Sequence, residues 1–99
     1  MPELLQLAWD KHNETYIREK APRGLTADVI EQVSRNDPKL MPDYRPGRSA
    51  SHHMIGPDDQ GRFWTVAVLE TEVDWLWRPI TGWPSTNSEI RRYREEGQQ

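Results

Sequence analysis

Between Phe63 and Leu69 the chain reads FWTVAVL, an uncharged run of apolar and β-branched residues broken by a single hydroxyl. A run of this length and composition predicts a central β-strand covered on both faces, because an exposed face would call for alternating polar residues. The remaining residues must then supply neighbouring strands on either side and helices to close at least one face. His52 to Ile55 predicts a strand, joined to the central one through a hairpin connection at Gly56, Pro57, Asp58, Asp59, Gln60 and Gly61. After a turn at 72–74, Trp75 to Thr81 predicts a third strand. Its Pro79 lacks an N–H donor and calls for an edge position or a gap in the ladder.

The flanking segments carry helix signals. Leu5, Leu7 and Trp9 alternate with Gln6 and Ala8, the period of a short first strand over 4–9. Asp10 caps a helix over about 11–21, ended by Pro22 and Gly24. Tyr16, Ile17 and Ala21 are its few apolar positions, so this helix must lean on a neighbour. Thr26 caps a second helix, Leu25 and Ile30 form a hydrophobic staple across the cap, and Val29, Ile30 and Val33 make one apolar stripe that stops before Asp37 and Pro38. Residues 36–51, with three prolines and Gly47, read as a long mobile loop. Thr86 and Glu89 form a capping box for a C-terminal helix to about Glu96, with Ile90, Tyr93 and Arg94 on one face. The expected fold is one α+β domain over 1–99: a short strand, two helices, a three-stranded antiparallel meander and a last helix.

Composition narrows the chemistry. With no cysteine there is no disulfide framework and no thiolate zinc site. No stretch approaches the roughly 20 apolar residues of a membrane span, and no secretory signal opens the chain, so a soluble cytoplasmic protein is expected. Lys and Arg number 13 against 16 Asp and Glu, a formal charge of -3, which argues against a general nucleic-acid coat. Ten of the 13 cations are Arg, whose planar fork suits phosphate or carboxylate. No zinc, P-loop or nucleophile-elbow spacing occurs, and no cofactor is expected.

Several elements in their order and spacing resemble the BrnT-type ribonuclease toxins of bacterial toxin–antitoxin pairs, which share the RelE-like fold. They are Trp9-Asp10 with Asn13 and Ile17, Gly24-Leu25-Thr26, Ile55-Gly56 before Gly61-Arg62, the apolar strand, Arg78-Pro79-Ile80-Thr81-Gly82, and Glu89 to Tyr93 with Arg91 and Arg92 between. The resemblance spans nearly the whole chain. It implies a RelE-like α+β fold, metal-independent cleavage of mRNA that arrests translation, a cognate antitoxin, and assembly as a homodimer or a toxin–antitoxin heterotetramer. The chain departs from the family at two places. The basic residue and His expected before the second helix are replaced by Glu19-Lys20-Ala21 with Pro22 and Arg23 inserted, and Trp83 stands where many members carry Arg.

RNA cleavage needs a base for the 2′-hydroxyl, an acid for the 5′-oxygen and cations for the phosphate. Arg62 and Arg78 are the expected cations, although Arg62 also fits a residue following a turn and Arg78 a surface partner of Glu89. Glu89 and Tyr93 are carried over from the family as catalytic candidates; Glu89 equally serves the capping box, and a phenol is a poor base unless Arg lowers its pKa. His52 and His53 point to opposite faces of a strand, so at most one joins a site, and His53 is the candidate. Lys20, Arg91 and Arg92 are the expected RNA contacts. Trp75 and Trp77, expected on one strand face, could stack bases but fit better as a surface for an antitoxin or a second copy. The alternative to the ribonuclease is a catalytically degenerate relative acting as a protein-binding or regulatory module.

Overall fold

Three helices begin where the sequence supplies a cap, in a computed structural model that describes residues 6–43 and 50–96. The Asp10 carboxylate accepts from the Asn13 N–H, and the Asn13 side chain accepts from the Asp10 N–H, a reciprocal box that opens α1 (Lys11–Lys20). Thr26 accepts from the Val29 N–H at the start of α2 (Ala27–Arg35). Its staple closes as expected, with Leu25 and Ile30 both buried. Thr86 and Glu89 exchange hydrogen bonds of 2.8 and 3.2 Å at the start of α3 (Asn87–Glu96).

The strands are β1 (Gln6–Leu7), β2 (Lys39–Pro42), β3 (His52–Pro57), β4 (Phe63–Glu70) and β5 (Leu76–Pro84), in one sheet of order β1-β5-β4-β3-β2. Consecutive strands from β2 to β5 are antiparallel, while β1 runs parallel to β5. Over the described residues the fold is therefore α+β with three helices and a five-stranded sheet: the short first strand and the meander are present, and β2 is one strand more than expected.

Two differences have clear causes. Residues 39–42 lie inside the expected loop yet form β2. No alternation marks them in sequence, and their ladder bonds depend on β3 being next to them. The tip of that loop, 44–49, lies outside the described residues. At the other end of the sheet, β5 continues past Thr81 to Pro84 and is not an edge, since β1 covers its far side. Gly82, just past the expected strand end, is required there: a Cβ would sit 2.8 Å from Leu25 Cδ2 and 2.9 Å from the Thr65 carbonyl oxygen. Pro79 takes the ladder-gap option, at a register shift between Ala67 and Val68.

Because successive strand side chains alternate, the sheet has two distinct sides. Met54, Trp64, Val66, Val68 and Trp77 pack with Ile17, Leu25, Ile30 and Val33 from the α1 and α2 segments, forming the core. Each fully buried branched side chain contributes about 1.5–3 kcal/mol. Ile55, Thr65 and Ala67 face the opposite side and are buried too. There α3 closes over the sheet, with the Tyr93 ring 5.2 Å from that of Phe63. The central strand β4 is thus covered on both faces, as its composition predicts.

Candidate functional site

On the α3 side, two of the expected site residues, His53 and Glu89, are joined through two unexpected ones, Asp43 and Trp83. His53 Nε2 lies 3.3 Å from Asp43 Oδ2, and both side chains are largely buried, at 18% and 5% exposure. The His53 ring meets the Trp83 indole edge-on at 5.3 Å. Trp83 donates its indole N–H to the Glu89 carboxylate at 3.2 Å from each oxygen. Glu89 also accepts the Thr86 N–H, so the capping box that starts α3 fixes the carboxylate that fixes the indole. Tyr93 follows one turn later on α3, against Phe63.

Tyr93 is a hydrogen-bond donor here, not a base. Burial and the neighbouring Asp37 charge push its phenol above the ordinary value, and its hydroxyl donates to the Asp37 carbonyl at 3.1 Å. Asp37 follows α2 in the left-handed region, φ 53°, which turns that carbonyl toward α3.

The two expected phosphate cations lie elsewhere and apart. Arg62 sits in the β3–β4 turn, 61% exposed, with Nε 3.4 Å from Asp58 and its guanidinium 5.8 Å from the Trp64 ring. Trp64 faces α1 and α2, so Arg62 is turned away from His53. Arg78 pairs across the ladder with Leu69, seven residues along β4 from the Arg62 position, a separation of about 20 Å. Its guanidinium binds Asp10, the α1 cap, rather than Glu89. That contact and the Asn13 N–H hold the Asp10 carboxyl down to about 2, while Asp10 raises the Arg78 pKa in turn.

The remaining candidates disperse. Arg91 and Arg92 are exposed on α3, and Lys20 is exposed at the end of α1. The expected pair of tryptophans splits: Trp75 lies in the turn before β5 and is 45% exposed, whereas Trp77 is buried at 8% in the core, edge-on to His52 at 4.8 Å. The strand begins one residue later than expected because the Thr71 hydroxyl donates chiefly to the Leu76 carbonyl, with the Val73 carbonyl sharing the proton, and keeps 72–75 in a turn. His52 and His53 do face opposite sides, each against its own tryptophan.

Asp43 is the site residue that sequence reasoning missed. It stands alone in a proline-rich stretch, and only the pairing of β2 with β3 carries it to His53. Asn13 is another buried polar group, donating to the Ala8 and Pro79 carbonyls and so joining α1 to β5. Its Asp10-x-x-Asn13 spacing was the available signal. Among the described residues, no group of three His, Asp or Glu side chains could hold a metal ion, and no helix is long and apolar enough to cross a membrane. Comparison of the chain with protein-family models, curated proteins and solved structures returns no match.

Proposed function

We infer that the chain is a metal-independent endoribonuclease of the toxin type, built on a RelE-like plan and acting on messenger RNA, with His53 as the proton-transferring group. The observation that carries this reading is the seat of His53, paired with the Asp43 carboxylate and set against Trp83 on the α3 side of the sheet. The order β1-α1-α2 followed by an antiparallel β2–β5 run and a last helix supports the same plan.

In the reaction, the imidazole takes the proton of the 2′-hydroxyl and the 2′-oxygen attacks phosphorus to form a 2′,3′-cyclic phosphate. The bond to the 5′-oxygen breaks as that oxygen takes a proton from solvent water, and the imidazolium then returns its proton to solvent. Asp43 stabilises the imidazolium this creates. Trp83, half-buried and fixed by Glu89, offers a ring face for a nucleobase. Arg91 and Arg92 on α3 supply backbone phosphate contacts. A cognate antitoxin and a bacterial cytoplasm belong to this reading.

A specific observation favours a second reading, the degenerate relative working as a binding module. Arg62 and Arg78 each already face a carboxylate, Asp58 and Asp10, and stand about 20 Å apart along β4, so they do not converge on one phosphate. Induction of the chain in a bacterial host, followed by growth and transcript integrity, separates the two. The ribonuclease reading expects arrest with RNA breakdown, lost by about 10²–10⁴-fold in His53→Ala and His53→Gln and retained in Arg78→Ala. Healthy growth with intact RNA in cells that accumulate the folded wild-type chain would replace it with the binding module.

A further inference from the structure

The β4–β5 hairpin concentrates exposed apolar surface. Of the four large apolar side chains that the described residues leave exposed, three lie between 69 and 75: Leu69 at 37%, Val73 at 43% and Trp75 at 45%. Surface apolar residues scattered singly are ordinary, but three within one seven-residue tip are a concentration. Interleaved with them are Glu70, Glu72 and Asp74, all exposed, and no Lys or Arg occurs from Phe63 to Trp77. The nearest cation along the strand, Arg78, is already met by Asp10.

The tip is also held in shape. The single Thr71 hydroxyl proton is shared between the Leu76 carbonyl at 2.7 Å and the Val73 carbonyl at 3.1 Å, while its oxygen accepts from the Val73 N–H at 3.2 Å, tying the turn through one hydroxyl. At its base the Glu70 N–H donates to Ser51 Oγ at 2.8 Å, anchoring the hairpin to the residue before β3. The Gln6 N–H donates to the Trp75 carbonyl, so β1 fixes the backbone under the indole. Surface ordered before binding loses less conformational entropy when a partner arrives. Trp is also among the side chains enriched as binding anchors.

We propose that residues 69–75 are a docking surface for a cationic amphipathic segment of another protein, one that sets Lys or Arg against Glu70, Glu72 and Asp74 and apolar side chains against Leu69, Val73 and Trp75. Charge complementarity selects this occupant, because a second copy in a twofold contact would bring the same three carboxylates and a nucleic acid would bring phosphates. The proposal does not rest on the ribonuclease reading, since the tip contains none of the groups assigned to that chemistry.

A random peptide library displayed on phage is panned on the immobilised full chain, and the enriched peptides are then titrated against it by fluorescence anisotropy. Enriched sequences are expected to interleave Lys or Arg with aromatic or branched residues. Trp75→Ser should weaken binding at least about tenfold, the removal of one anchor. The combined change Glu70→Gln, Glu72→Gln and Asp74→Asn should weaken binding and flatten its salt dependence. All four positions are exposed, and an unchanged thermal midpoint verifies that each variant folds. Absence of enrichment, acidic or uncharged winners, or equal binding by Trp75→Ser would overturn the proposal. So would self-association, or retention of a labelled RNA oligonucleotide, that Trp75→Ser abolishes.

Discussion

Asp58 offers the sharpest quantitative test of how the β3–β4 turn is built. It is 4% exposed and accepts hydrogen bonds from the Trp64 indole N–H at 3.0 Å and from the Gln60 and Arg62 backbone N–H groups at 2.9 Å each. Asp58→Ala strands the Trp64 donor, which is itself 4% exposed; an unsatisfied buried donor costs about 1–3 kcal/mol. The two backbone donors belong to exposed turn residues that water can reach, so together they add about 1 kcal/mol. The Arg62 contact adds little because that side chain is 61% exposed. The expected loss is about 3 kcal/mol, or roughly 12–24 °C in thermal midpoint for a domain of this size. Urea unfolding followed by tryptophan fluorescence measures it, and Trp64→Phe completes a double-mutant cycle. With the indole donor gone, Asp58→Ala should cost about 1–3 kcal/mol less than in the wild type. A loss below about 1 kcal/mol, or zero coupling in the cycle, would refute the assignment of Asp58 as the acceptor that holds this turn.

Other expectations concern the opposite ends of the sheet. Asp10, lowered to about 2 from 3.8, adds stability that is complete above the higher value and is lost as pH falls toward the lower one; thermal midpoints between pH 6 and 2 should therefore drop on an acid limb that Asp10→Asn flattens. Burial pushes the Asp58 carboxyl up but its hydrogen bonds outweigh this and lower it, so Asp58 contributes to the same limb, and Asp58→Asn should flatten it further. Gly82→Ala forces a Cβ to within 2.8 Å of Leu25 Cδ2 and 2.9 Å of backbone, and should cost about 1–3 kcal/mol in urea unfolding. Tyr93→Phe removes the hydroxyl that reaches Asp37 and should cost about 0.5–1.5 kcal/mol; under the proposed ribonuclease function it should leave cleavage within a few-fold. A loss of cleavage by two orders of magnitude at unchanged stability would instead put the phenol in the reaction.

Features that neighbours along the chain decide between themselves are legible from residue type and spacing. The caps at Asp10, Thr26 and Thr86 each act on an N–H three residues ahead, so residue type and spacing suffice to place three helix starts. The seven-residue apolar run at 63–69 needs cover on both faces wherever the chain goes, and that alone made it the centre of a sheet. Tertiary structure decided the rest, because the free energy of those contacts comes from groups far apart in sequence and leaves no local periodicity. β2 exists because β3 offers its ladder, and through it Asp43 reaches His53. β5 lies inside the sheet because β1 returns to its far side, and Arg78 is claimed by an aspartate 68 positions away rather than by Glu89. A guanidinium goes to whichever carboxylate the fold brings within reach, so which cations come together could be read only once the sheet had closed.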